Sequence, residues 1–208
     1  MPGLFGFGAR RPAEPSGPVR LVDAEATSVV LPRFLNAVAQ RESPVLLDLG
    51  PAIGANVSFL GERLACKLLI GDVYHDLAAG RSGDELRESI CARLERTVTS
   101  ALDGVLCWDW FDYFDRNTAK SVAEFISSRL AQGGVVHGMF STQPGDLTSY
   151  TRYIVQTPSS MTCRLEAAAP RKRAILSTRD LSAIFPGTKI MDSVLLKNQR
   201  REILIRKG

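Results

Sequence analysis

VLLDLGPAIGAN, residues 45–56, is an apolar run that ends on Asp48 and breaks at once into a loop holding Gly50 and Gly54. A run this short, closed by small turn-forming residues, reads as a buried strand that hands over through a tight turn to a helix. The sequence on either side agrees. LPRFLNAVAQ (31–40) spaces Leu31, Phe34, Leu35 and Val38 as a helix does, and Pro44 ends any helix before the strand begins. After the loop, Val57, Leu60 and Leu64 repeat with the same period, so NVSFLGERLA is a helix whose amino end points back at the glycines. KLLIGD then finishes on Asp72 and fits a parallel strand reached through that crossover helix.

The same alternation continues. RSGDELRESICARLERTV carries a Ser82-x-x-Glu85 capping box followed by Leu86, Ile90, Leu94 and Val98 on one face. DGVLCWDWFDYFD is a strand to Cys107 or Trp108 that opens into acidic and aromatic residues, and Asn117 or Thr118 caps a helix through Val122, Phe125, Ile126 and Leu130. Gly133-Gly134 stops that helix before the strand VVHGMF. Strand and helix in strict alternation define an α/β fold with right-handed crossovers: a Rossmann-like three-layer sandwich built on a mostly parallel sheet. KIMDSVLLK and REILIRK, joined by the tight KNQR turn, add a C-terminal antiparallel hairpin at one sheet edge, after a short helix capped by Ser177-x-x-Asp180. Residues 141–175 are rich in turn residues and form an inserted loop or lid segment with room for a small hairpin.

Composition bounds what such a chain does. With 208 residues, 45% of them hydrophobic and 23% charged, it supports one globular domain over residues 19–208. Residues 1–18, MPGLFGFGARRPAEPSGP, have the Pro, Gly and Arg content of a disordered tail and lack the apolar core of a signal peptide. No run approaches a membrane span, and Cys66, Cys91, Cys107 and Cys163 form no C-x-x-C pair, so reduced thiols, no metal site and a cytoplasmic location are expected. The net charge of +4 gathers at Arg171–Lys172–Arg173 and in the last dozen residues. This basic C-terminal surface suits a protein partner. No aromatic-rich nucleic-acid motif accompanies it, so nucleic acid is not the expected ligand, and solvated loop residues explain the charges as well.

A strand end, small residues and a helix amino terminus bring backbone N–H groups close to a ligand. Asp72, ending the next strand, is placed to accept both hydroxyls of a ribose. A structural turn, with Asp48 ordering the loop and Asp72 ending a strand, explains the same residues, and both readings stay open on this ground alone.

DLGPAIG resembles the D-x-G-x-G-x-G first motif of class I methyltransferases that use S-adenosylmethionine, with Asp72 in LLIGDVY at the place of their ribose acid. GVLCWDWFDYF is similar to their fourth-strand motif, AQGGVVHGMF to their fifth strand, and the final helix and hairpin to their terminal pair, so the resemblance spans roughly residues 30 to 208. It implies that S-adenosylmethionine is the cofactor, that Asp48, Gly50, Pro51, Ala52 and Gly54 hold its methionine part, that Asp72 and Val73 hold its ribose side, and that Trp108, Asp109 and Trp110 line the pocket near the sulfonium. Methyl transfer to an undetermined acceptor is the implied activity, and it asks mainly for alignment and exclusion of water. Tyr113, Tyr150, Arg152 and Tyr153 are the candidate substrate contacts; His75 and His137 have no assigned catalytic role.

Two departures matter. The middle glycine of the motif is Ala52, and the stretch from Asp72 to Gly104 holds one long helix and no convincing third strand, which is therefore missing or short. These favour an alternative in which a methyltransferase-like scaffold has lost catalysis and serves as a binding subunit. A nicotinamide site built on Gly50, Ala52 and Ala55 ranks lower, because an acid directly precedes the first glycine and only one mononucleotide-type half is present.

Overall fold

The computed structural model describes residues 23–208, so the tail expected over residues 1–18 lies outside the described residues. Strands β2 (Val45–Asp48), β3 (Lys67–Ile70), β4 (Leu102–Trp108), β5 (Leu130–Ser141), β8 (Thr188–Leu195) and β9 (Arg200–Lys207) form one sheet in the order β3-β2-β4-β5-β9-β8. The first four strands of this order are parallel, whereas β9 runs antiparallel to both β5 and β8. The direction of travel reverses at β2. Helix α2 (Gly54–Leu64) carries the chain outward to β3, while α4 (Gly83–Thr97) and α5 (Arg116–Arg129) carry it back across to β4 and β5. Right-handed crossovers running in opposite directions place α2 on one face and α4 with α5 on the other. Helix α1 (Leu31–Ala39) packs beside α2, and α6 (Thr178–Ile184) beside α5.

Burial follows the periodicities. Leu31, Phe34, Leu35 and Val38 are the buried stripe of α1, and Leu86, Ile90 and Leu94 that of α4. At Gly104 an added Cβ would lie 2.7 Å from Val38 and 2.8 Å from Leu46, so the missing side chain lets α1 press directly on β4.

Several local expectations differ in detail. Ser82 is the N-cap of α4 but its side chain makes no capping bond, and α5 is capped by Asp115, which accepts from the Thr118 amide. Ser177 and Asp180 do form a capping box on α6. Between Ile70 and Leu102 there is no strand; the short helix α3 (Tyr74–Ala78) and α4 occupy that stretch, so β3 is the sheet edge. Asp76, fully buried under α4, fixes them: it accepts from Arg81, from Ser89 at 2.6 Å and from Arg93 at 2.9 Å. Burial alone would raise its pKa, but the Arg93 and Ser89 bonds hold it below the usual carboxylate range.

A second sheet was not legible in the sequence. Strand β1 (Ala24–Thr27) pairs with β7 (Ser160–Lys172), which pairs with β6 (Asp146–Thr157), all antiparallel. The segment 141–175 is thus mainly a hairpin of long strands stitched to the start of the described chain.

The join between β1 and the main sheet is a buried carboxylate. Glu202 of β9 accepts from Ser28, from the Val29 and Val30 amides that open α1, and shares a 2.8 Å hydrogen bond with Nε2 of His137 in β5. Burial raises the pKa of a carboxylate, yet the bonds from His137, Ser28 and Val29 bring Glu202 down to about 2 from 4.5. A folded value below the unfolded one stabilises the fold above pH 4.5, and the contribution is lost as the pH falls from 4.5 through about 2. Glu202→Gln, which keeps the shape and removes the charge, is expected to lower the unfolding free energy by about 3 kcal/mol at neutral pH. In urea titrations the gap to wild type should close as the pH approaches about 2.

Candidate functional site

The carboxyl ends of β2 and β4 meet where the strand order reverses, the position at which open α/β sheets form a crevice. Asp48 closes β2 here, and its buried Oδ1 accepts from the Gly50 amide at 2.8 Å and from Nε1 of Trp108 at 2.7 Å. One oxygen therefore folds the loop back on its strand and ties it to the end of β4. Burial pushes the Asp48 pKa up to about 6, against the lowering effect of both bonds.

Trp108 holds φ +47, a conformation that costs a bulky residue on the order of 1 kcal/mol. Its indole lies on Gly50, where an added Cβ would be 3.3 Å from Cδ1, and it stacks on Tyr153 of β6 with centroids 5.2 Å apart and planes 9° from parallel. Tyr153 is kept there by Asn56, in the first turn of α2, whose side-chain amide donates to the Tyr153 carbonyl at 2.8 Å and accepts from the Val155 amide at 2.9 Å. Asn56 thus grips β6 much as a neighbouring strand would.

The rest of the loop is more open. Pro51 is half-buried, Ala52 and Gly54 are exposed, and a Cβ added to Gly54 would meet nothing within 4 Å. Ile53, the N-cap of α2, offers no side-chain acceptor to the helix's first amides. Across from them, β3 and its exit are tied to β2 by Gly71 N–H donating to the Asp48 carbonyl at 2.7 Å and Val73 N–H to the Leu49 carbonyl at 3.1 Å. Between those two anchors Asp72 takes φ +43, and its Oδ1 is buried with no hydrogen-bond partner among the described residues. His75 accepts from Arg93 at Nδ1.

Beyond β4 the side chains form a packed wall. Trp110 is buried and stacks with Tyr150, which stacks in turn on Tyr74 at 3.9 Å. Asp109 is fully buried and accepts from Arg200 at 2.9 Å, and the same Arg200 nitrogen lies 3.2 Å from the Tyr153 hydroxyl. Asp112 takes the Ser141 amide at 2.9 Å; burial and the Asp109 charge push its pKa up to about 7 in spite of Arg200. Tyr113 donates to the Ser149 carbonyl, and Arg152 leans across to Glu166 on the neighbouring strand at 3.4 Å.

The structure brings Asp48, Gly50, Trp108 and Tyr153 into one cluster and sets Ala52, Gly54, Asp72 and Val73 beside it. Asp109, Trp110, Tyr113 and Tyr150 line up along the wall, and Arg152, near Tyr150, is paired with Glu166. Asn56, Tyr74 and Arg200 are the participants that sequence reasoning missed. Asn56 is separated from its partners by 97 and 99 residues and Arg200 from Asp109 by 91, so no local pattern could announce either. Among the described residues no group of three potential metal ligands occurs, and no helix is long and apolar enough to cross a membrane.

No protein-family model matches the chain, and no curated protein matches it in sequence. Solved structures match in shape. The CcbJ methyltransferase from Streptomyces caelestis is 10% identical and aligns over 86% of this chain and 90% of its own, with a TM-score of 0.50. DesVI from Streptomyces venezuelae is 9% identical over 86% and 92%, with a TM-score of 0.49. The N-methyltransferase NodS from Bradyrhizobium japonicum WM9, solved with S-adenosyl-L-homocysteine, is 14% identical over 86% and 84%, with a TM-score of 0.47. The chain has a class I methyltransferase-like fold in a divergent form, with no strand between β3 and β4 along the stretch from Ile70 to Leu102.

The raised Asp48 value carries a testable sign. A folded pKa of about 6 against 3.8 unfolded means a stabilising contribution complete below pH 3.8 and lost as the pH rises through about 6. Asp48→Asn keeps an oxygen for Gly50 and Trp108 without the buried charge, so it should be more stable than wild type at mildly alkaline pH, by about 1 to 3 kcal/mol. Thermal unfolding across this range should show the advantage shrinking as the pH falls below about 6.

Proposed function

We propose that this protein binds S-adenosylmethionine along the carboxyl edge of its sheet and transfers the methyl group to an acceptor molecule. The observation that carries this reading is the buried, unpartnered Oδ1 of Asp72. A buried carboxylate oxygen without a donor is costly, and a ribose hydroxyl supplies the donor it lacks. The neighbours suit the same ligand: exposed Ala52 and Gly54 leave the backbone approachable, and the α2 amides have no side-chain cap to displace. Solved relatives of this fold bind the cofactor, as the SAH complex of NodS illustrates.

In this reading Asp72 and Val73 hold the ribose side, and the turn from Asp48 through Gly50, Pro51, Ala52 and Gly54 holds the amino-acid end. Bound S-adenosylmethionine supplies an already activated methyl group, so the chain need only orient the acceptor and exclude water. Trp108 and Tyr153 provide the dry aromatic floor for that step, with Asp109 and Trp110 behind them; Tyr150 and Tyr113 extend the wall toward the acceptor. Arg152, paired to Glu166, is left out of the acceptor contacts.

A second reading is favoured by one specific observation. The Trp108 indole rests directly on Gly50, and Tyr153, clamped by Asn56, covers it. A scaffold that had given up the cofactor would fill its cradle in this way and act as a binding subunit through its basic C-terminal surface.

Calorimetric titration with S-adenosylhomocysteine, with NAD in parallel, separates the two readings. Saturable binding of the former alone is expected; a folded protein that binds neither would leave the scaffold. Asp72→Ala should weaken binding by about 1 to 3 kcal/mol, the loss of hydrogen bonds to a charged acceptor. Gly54→Val is the cleaner probe, because a Cβ added there meets no protein atom within 4 Å: circular dichroism should be unchanged while cofactor binding is lost.

A further inference from the structure

We propose that the methyl acceptor is a small molecule carrying a carboxylate or phosphate group, and that this group binds in the cleft between the ends of β5 and β9, held by Arg173 and Lys197 in front of Arg200. The assignment of the ligand as the acceptor rests on the methyl-transfer reading of the same edge.

The cleft has a volume of about 380 Å³, the scale of a small-molecule site. Its wall combines three cations, Arg173, Lys197 and Arg200, with uncharged polar residues that include Ser141, Gln143 and Asn198, and no acidic side chain lines it. Arg200 is fixed from behind by Asp109 and Tyr153. The other two are unspent. Neither has a carboxylate within salt-bridge distance among the described residues, whereas Lys172 beside Arg173 is 2.7 Å from Asp146. Among the described residues the Arg173 side chain reaches only the Ser141 hydroxyl at 3.4 Å and the Gln143 carbonyl at 3.5 Å, and its buried Nε has no partner. A guanidinium presents five donors in a planar fork made for a carboxylate or phosphate, so one held by two long bonds has most of its capacity left.

Position completes the argument. Along the carboxyl edge the order is Asp72 after β3, the glycine turn after β2, Trp108 to Asp112 after β4, and then the cleft at Ser141 and Arg200. With strands about 4.8 Å apart, the cleft lies on the order of 15 Å from Asp72. A cofactor laid from Asp72 across the glycine turn would end near Trp108, and the next group along the edge is the cleft. An anionic group seated there would leave the rest of the acceptor lying back toward Trp108 and Tyr153.

The test uses the full chain with inorganic phosphate as probe, titrated by thermal shift and calorimetry at constant ionic strength set with chloride, with and without S-adenosylhomocysteine. Saturable millimolar binding is expected in wild type, weakened at least about tenfold by Lys197→Glu and by Arg173→Gln, with S-adenosylhomocysteine affinity unchanged in both. Lys197 is exposed in the turn between β8 and β9, so its variant reports on the site even if Arg173→Gln unfolds. Absence of saturable phosphate binding, or wild-type binding in Lys197→Glu, overturns the proposal. Phosphate binding lost in the variants of a protein that never binds S-adenosylhomocysteine would keep the anion site, overturn its assignment to an acceptor, and count against methyl transfer itself.

Discussion

A single buried oxygen, Oδ1 of Asp48, holds the carboxyl edge of the sheet together. By accepting from Gly50 and Trp108 at once it bends the first loop, fixes the indole across the neighbouring strand end and supplies the platform on which Tyr153 stacks. The geometry follows from where the sheet reverses direction: only between β2 and β4 do two adjacent strand ends lead their chains apart, leaving a notch that side chains must fill or line. The cost of burying this carboxylate shows in its raised pKa, and the unusual backbone of Trp108 adds to it. Both costs fall at the same edge, and the surrounding hydrogen bonds and stacking hold the arrangement in place against them.

The inserted hairpin turns that edge from an open ledge into a walled site. Its strands pair with the start of the described chain rather than with the main sheet, and two polar clasps set its position. Asn56 grips β6 from below, and Glu202 gathers Ser28, the α1 amides and His137 at the far end. In both, the central polar group takes two or more hydrogen bonds from separate elements, which ties those elements together, although His137 Nδ1 in the Glu202 network has no partner among the described residues. Asp76 does the same for α3 and α4 along the stretch between Ile70 and Leu102 that holds no strand.

Much of this architecture was legible in the chain. The alternation of apolar strand and amphipathic helix from Leu31 to Phe140 and the terminal hairpin after Pro186 are local patterns, and each became an element close to the expected bounds, except that α5 already ends at Arg129 and Gly133-Gly134, expected to stop that helix, lie inside β5, which begins at Leu130. The glycine turn and Asp72 were legible for the same reason: a strand end followed by small residues has few conformations. Capping was legible at Ser177 and Asp180 but not at Ser82, whose side chain makes no capping bond, and in 141–175 the expected small hairpin is one of strands 12 and 13 residues long, a length its mixed turn residues concealed.

The sequence by itself determined the order and type of the main elements, the glycine turn and the acid that follows the second strand, because hydrophobic period and backbone freedom act over a few residues. Only the tertiary structure decided that Tyr150 and Tyr153 are walls, that Arg152 belongs to Glu166, that β1 joins the hairpin, and that Arg173 and Lys197 have no carboxylate within salt-bridge distance among the described residues. Arg152 and Glu166 are 14 positions apart but meet only because β6 pairs with β7, and β1 meets its partner strand across more than a hundred positions. Which donor meets which acceptor is set by strand pairing and by how the sheets stack, which local hydrophobic period and backbone freedom do not encode.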